Sequence, residues 1–233
     1  KRIFMKYQRS RFQPKDAQIL SEFLNFLRLN HWTLTSMAYQ RRPKHIPLVT
    51  PDELIEDERK PERLGTFLLK RKERIICMFK IDKHPHDEKT VVFHNAETHP
   101  DFQRKGIFWR SLCIPYLRNI CHGNYNRIDA TTWVLNRKAI PVYKRMGFRL
   151  VPKTSLEMEN YLPVIVRDPA VQSFFSKYDF IRTLQCRRSY GYDKLDIGAH
   201  SVFEYNWKSG DDRLHVQIDR IQKEIIKIDC RCA

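Results

Sequence analysis

The 233-residue sequence has no apolar run approaching the roughly eighteen residues of a membrane span, and no signal-peptide h-region in its opening residues. It has no internal repeat and no low-complexity segment. Its cysteines, Cys77, Cys113, Cys121, Cys186, Cys230 and Cys232, follow no regular spacing, and a chain of this length does not depend on disulfide staples. The one close pair, Cys230-Arg231-Cys232, lacks neighbouring ligands and reads as a frayed tail, so no metal is expected. These absences argue against a membrane protein, a disulfide scaffold and a repeat array. The expectation is a soluble, globular, cytoplasmic protein with reduced thiols and no membrane partner.

Acidic residues are also scarce, 27 against 43 Lys and Arg, leaving a net charge of +16. The excess is uneven: residues 161–233 balance to +2, whereas residues 1–160 hold +14. A field of this sign attracts polyanions, whether nucleic acid, an acidic surface or a phosphate-rich ligand. What is present in quantity is core material, with 42% hydrophobic residues and aromatics spread along the chain.

Lys6–Phe12 alternates loosely and reads as a strand. Asp16 caps a helix over Ala17–Leu29, where Ile19, Leu20, Phe23, Leu24, Phe26 and Leu27 form one apolar face. His31–Thr50, with Pro43 and Pro47, reads as a long connection, after which Thr50-Pro51 restarts a short helix. Leu64–Leu69 and Arg74–Ile81 form a hairpin, and Thr90–Thr98 a third strand. A helix follows Gly106, then a strand at Ile128–Leu135, a helix at Arg137–Met146 and a strand at Phe148–Glu157. Beyond Tyr161 the pattern changes. Asp168-Pro169 starts a helix with Val171, Phe174, Phe175, Tyr178 and Ile181 on one face, and Ser201–Trp207 and Arg213–Asp229 are strand-like, with room for a hairpin. Residues 1–160 therefore read as one α/β domain and 161–233 as an extension or small second domain. The helix face in this tail needs cover, either from residues 1–160 or from a second chain in a homodimer.

Two segments carry chemistry. In His99-Pro100-Asp101-Phe102-Gln103-Arg104-Lys105-Gly106-Ile107-Phe108 a strand ends, the chain turns and a helix begins. The free N–H groups of such a turn make a preformed anion site, Gly106 permits close backbone approach, and Arg104 and Lys105 add charge. In Asn136-x-x-Ala139-x-x-x-Tyr143-x-x-x-Gly147-Phe148, Asn136 caps a helix, Ala139 and Tyr143 share a face, and Gly147 ends the helix.

The two segments in this order resemble the GNAT acetyltransferases. Gln103-x-x-Gly106 is similar to that family's pyrophosphate loop, with Phe108 where a last Gly or Ala is usual, and the second segment is similar to its Asn…Ala…Tyr…Gly-Phe helix and strand. The resemblance implies a mixed, mainly antiparallel sheet flanked by helices, with a C-terminal α+β extension that has no counterpart in the family. It implies acetyl-CoA as cosubstrate, held by Glu97, Thr98, Gln103, Arg104, Lys105, Gly106, Ile107, Phe108, Asn136 and Tyr143. It also implies direct transfer of the acetyl group to an amine, with Tyr143 as the acid that protonates the leaving thiolate.

For the base, Glu97 is a carboxylate beside the loop, with strand alternation placing Glu97 and His99 on one face and His94 on the other; His99 reads as a turn residue before Pro100. Pro115 is expected to kink its helix. A second reading from a different class is a GNAT-like module without catalysis that uses its basic surface on nucleic acid, since residues 1–46 hold ten basic and two acidic residues with Phe4, Tyr7, Phe12, Trp32 and Tyr39 among them. The acceptor amine carries no motif.

Overall fold

The computed structural model describes residues 7–39, 49–132, 139–151, 157–178 and 202–232. The chain divides into two compact units: residues 1–86 with 92–116, and residues 87–91 with 117–233. It is an α/β protein with mainly antiparallel pairing and an added C-terminal sheet of three strands.

In the first unit β1 (Gln8–Arg11), β2 (Arg63–Arg71) and β3 (Arg74–His84) pair antiparallel in sequence order, and β4 (Asp87–Thr98) follows β3 after the turn Pro85-His86. Helix α1 (Ala17–Tyr39) starts at Asp16, whose carboxylate accepts the Ile19 N–H at 3.0 Å. It buries Phe23, Leu24 and Phe26 against Leu68, Ile75 and Met78. The helix runs ten residues beyond the expected Leu29, because 30–39 contains neither glycine nor proline to stop it. Helix α2 (Pro51–Arg59) opens with a reciprocal cap: Thr50 Oγ1 accepts the Glu53 N–H at 3.2 Å, and Glu53 accepts the Thr50 N–H at 2.7 Å. Phe67, Phe79, Phe93, Phe108 and Tyr116 form a second aromatic layer.

The helix after Gly106 begins as a π-helix (Phe108–Cys113) and narrows into α3 (Ile114–His122). The widened turns lie immediately before Pro115, whose ring would clash with the preceding carbonyls of a regular α-helix. The expected kink is thus taken up as a π segment.

In the second unit β5 (Arg127–Thr131) pairs with β7 (Glu157–Asn160), which pairs with the short β6 (Arg149–Leu150); helix α4 (Ala139–Arg145) precedes β6. The expected strand Phe148–Glu157 is therefore split, with 152–156 outside the described residues, as are Leu135 and Ile181. Helices α5 (Leu162–Arg167) and α6 (Pro169–Phe174) follow; Asp168 caps α6 by accepting from Ala170 at 2.8 Å and Val171 at 3.2 Å. The three-stranded sheet has β9 (Asp212–Asp219) between β8 (Val202–Ser209) and β10 (Glu224–Arg231). Its inner face joins α5 and α6 in one core built from Tyr161, Phe174, Phe175, Phe203, Trp207 and Val216, among others.

Candidate active site

The loop after β4 belongs wholly to the first unit. Pro100–Phe102 makes one 3-10 turn, introduced by His99, which accepts the Asp101 N–H at 3.2 Å, as a turn residue would. Arg74 Nη2 stands 2.5 Å from the His99 ring, and burial together with that cation keeps the imidazole pKa below its ordinary value. Gln103 Nε2 donates to Thr98 O at 3.0 Å, tying the loop to the end of β4. Arg104 (φ 59°) and Gly106 (φ 67°) are both left-handed. Left-handed residues set in a turn are the ingredient of the concave N–H arrangements that bind anions. A Cβ at Gly106 would meet only Arg110 Nε, at 3.7 Å, so the backbone is open to a ligand there. Arg104 and Lys105 are exposed beside it. This arrangement fits a pyrophosphate, with Phe108 opening the helix in place of a small residue.

Glu97 lies near the end of β4. Its Oε2 is shut off from solvent and has no hydrogen-bond partner among the described residues. Desolvation pushes the carboxyl up to about 7, against the pull of nearby Lys80. The carboxyl is therefore poised to take or release a proton at neutral pH.

Lys80 belongs to a chain of charges on the same unit. It pairs with Asp57; Arg63 reaches Asp57 at 2.9 Å and Asp82 at 2.9 Å, and Asp82 meets His94 Nε2 at 2.7 Å. Burial would raise the Asp57 pKa, but hydrogen bonds from Lys80 and Lys60 and the charge of Arg63 hold it well below the usual range. Asp82 on β3 reaches His94, and Lys80, two residues earlier on the same strand face, bears electrostatically on Glu97. Asn95, left-handed at φ 51°, interrupts the regular strand backbone between His94 and Glu97.

In the second unit Tyr143 is 6% exposed and packs edge-on against Phe148 with ring centroids 5.6 Å apart. Gly147 ends α4 at φ 92°, with Asn160 and Leu162 so close that a Cβ would crowd them at 3.2–3.5 Å. Asn136 lies outside the described residues. The structure thus groups Glu97 to Phe108 in the first unit and leaves Tyr143 in the second.

Two structural features near the loop escaped the sequence reading. One is the charged chain, whose trace was Lys80 and Asp82 at alternate positions of β3. The other is Asn95, a residue type enriched among left-handed conformations, set inside a strand pattern.

No curated protein matches the sequence. Among solved structures, the PaiA N-acetyltransferase from Thermoplasma acidophilum, in complex with coenzyme A, is similar at 11% identity and TM-score 0.52, over 67% of this chain and 99% of that one. The smu.2055 protein from Streptococcus mutans is similar at 17% identity and TM-score 0.50, over 66% of this chain and 99% of that one. The ribosomal-protein-S18-alanine N-acetyltransferase from Escherichia coli is similar at 14% identity and TM-score 0.49, over 67% and 94% respectively. At these identities the likeness concerns the fold. The family model of the Acetyltransferase (GNAT) family matches residues 27–148, which include the loop, Glu97 and Tyr143, and so the chain is an acyltransferase that belongs to the GNAT acetyltransferase family.

Proposed function

We propose that the protein moves the acetyl group of acetyl-CoA directly to an amine, with Glu97 as the base and Tyr143 as the acid. The cosubstrate supplies the acyl group as a thioester, whose C–S bond breaks as the new C–N bond forms. An amine is protonated at neutral pH and must lose a proton before attack. Glu97 takes it. The observation that carries this role is its carboxyl, whose Oε2 is buried without a hydrogen-bond partner among the described residues and which desolvation pushes up to about 7. The Tyr143 hydroxyl donates to the departing sulfur and afterwards recovers a proton from solvent. Gln103, Arg104, Lys105, Gly106, Ile107 and Phe108 hold the pyrophosphate, with Thr98 and Glu97 offering backbone groups to the pantetheine amides.

We read residues 1–160 as the acetyltransferase domain and 161–233 as an addition to it, supported by the aromatic core that residues 161–178 build with β8 and β9. Cys77, Cys113, Cys121, Cys230 and Cys232 are unpaired, which fits a reducing cytoplasm. The test is thiol release from acetyl-CoA across an amine panel, measured as a function of pH. Turnover rising through a pKa near 7 with at least one amine is expected. No thiol release with any amine class, or a flat profile with a competent one, would overturn the base assignment.

A further inference from the structure

The outer face of the three-stranded sheet carries an arrangement that acetyl transfer does not use. Register sets Lys208 on β8 opposite Arg213 on β9, and Arg213 opposite Arg231 on β10. Three cations thus stand in one row across three strands, spanning about 10 Å at ordinary strand spacing. All three are exposed, and none has an ion pair among the described residues. Like charges directly opposite one another destabilise a sheet. The next row is Asn206, His215 and Asp229, where the Asp229 carboxylate is already taken by Lys227 at 3.1 Å and lies 3.8 Å from His215. Asp211, in the hairpin turn, pairs with none of the three. The two rows, Lys208, Arg213 and Arg231 with Asn206, His215 and Asp229, line a cleft of about 500 Å³.

We propose that this cleft binds the phosphate backbone of a single-stranded nucleic acid. A row of three cations without an ion pair among the described residues calls for an anion. Two of the three cations are arginines, whose fork matches phosphate oxygens. The side chains that the row and its neighbour present outward are all polar. The face therefore has no wedge for a membrane and no apolar pocket for the side chains of an acidic peptide. The one ring in the two rows is His215, whose side chain is 32% exposed, so binding rests on backbone charge and is independent of sequence. A single row contacts a few phosphates of one strand.

Fluorescence anisotropy of the full chain with a labelled, mixed-sequence single-stranded RNA of about 20 nucleotides, between about 50 and 200 mM salt, tests this. The triple variant Lys208→Gln, Arg213→Gln, Arg231→Gln should raise Kd by roughly 10- to 100-fold and flatten the salt slope by about 2. A charge-matched control, Lys15→Gln, Arg28→Gln, Arg59→Gln, removes exposed cations of the first unit and should change Kd by less than about threefold. All six positions are exposed, so both variants should fold, which melting curves check. Equal losses in the two variants would overturn the site in favour of diffuse charge. Competition by polyglutamate as strong as by unlabelled RNA would overturn the assignment of the partner. Either result leaves acetyl transfer untouched, since neither variant alters the loop, Glu97 or Tyr143.

Discussion

Each unit withdraws a glutamate from water, and the two treat it in opposite ways. In the second unit Glu159 is 3% exposed; it pairs with Arg220 at 2.8 Å and accepts from the Tyr161 hydroxyl at 3.1 Å. In the first unit Glu97 has no hydrogen-bond partner for Oε2, and its pKa is displaced to about 7. A satisfied buried carboxylate holds structure together; an unsatisfied one stores a cost that only a proton or a ligand relieves. The lesson is that burial alone does not mark a catalytic acid or base. Its partners do.

The sharpest way to break this comparison is to neutralise both glutamates. Glu97→Gln should cut turnover about 10²- to 10⁴-fold, with acetyl-CoA affinity retained. Glu159→Gln should leave turnover per folded molecule unchanged while lowering stability by about 1–3 kcal/mol. Steady-state rates and denaturant melts on the same preparations measure both. Turnover lost in Glu159→Gln and kept in Glu97→Gln would reverse the roles.

The units also differ in how they are packed. The first carries a chain of charges along β3, whereas the second gathers a cluster of rings within its core. Trp207 has Phe174, Phe175 and Tyr178 at centroid distances of 5.5, 4.9 and 5.1 Å. Trp207→Ala should therefore cost about 3–5 kcal/mol, read from urea unfolding. A loss below about 1 kcal/mol would mean that the cluster is not a packed core.

The parts of this arrangement that follow local rules were legible in the sequence. Asp16, Thr50 and Asp168 all cap where the pattern of a small polar residue before a helix places them. The β2–β3 hairpin and the helical face of Phe23, Leu24 and Phe26 are equally plain. Other parts depend on a turn with no glycine or proline to announce it. Arg213–Asp229 reads as one strand-like stretch, yet it is β9, a turn and β10, because Asp219 Oδ1 accepts the N–H groups of Ile221 and Gln222 at 2.7 and 2.8 Å while Lys223 goes left-handed. Asn95 hid the same way inside β4. At the site, the loop and Glu97 stand out in the sequence, whereas the desolvation of the Glu97 carboxyl does not, since it is a tertiary effect that no local pattern records.

A tyrosine pair extends the comparison. Tyr143→Phe keeps the ring against Phe148 and removes the hydroxyl; turnover should fall about ten- to a thousand-fold with little change in melting. Tyr161→Phe removes the donor to Glu159 and should cost about 0.5–1.5 kcal/mol with turnover intact. Unchanged turnover with a lowered melting point in Tyr143→Phe would leave that residue as core. A glycine pair gives a smaller effect. Gly106 (φ 67°) and Gly210 (φ 62°) are both left-handed and both open at the Cβ position. Asp at either carries similar backbone strain, but only Gly106→Asp puts a negative charge where pyrophosphate is proposed to sit. Calorimetry should show acetyl-CoA affinity weakened about 10- to 100-fold in Gly106→Asp, and equal to the parent in Gly210→Asp.

A further effect concerns pH and has opposite signs at the two ends of β4. Asp87, in the second unit, pairs with Lys223 at 2.7 Å; burial would raise its pKa, but hydrogen bonds from Lys223, Thr90 and the Lys89 N–H hold it at about 2, below the ordinary 3.8. Between these values the unfolded chain binds the proton and the folded chain does not, so stability rises with pH. That contribution is complete above about pH 4 and is lost as pH falls through 2. Glu97 is the reverse. Between 4.5 and about 7 the folded chain holds the proton and the unfolded chain releases it, so stability falls as pH rises, and the full cost is present above 7. Removing each charge should expose its own window. Asp87→Asn should lose about 1 kcal/mol relative to the parent at pH 6 and converge with it toward pH 2. Glu97→Gln should match the parent near pH 4 and exceed it by on the order of 2 kcal/mol at pH 8. Urea midpoints across this range decide it. A Glu97→Gln chain no more stable than the parent at pH 8 would mean that the carboxylate ionises there without strain. The base would then have to draw its reactivity from something other than burial.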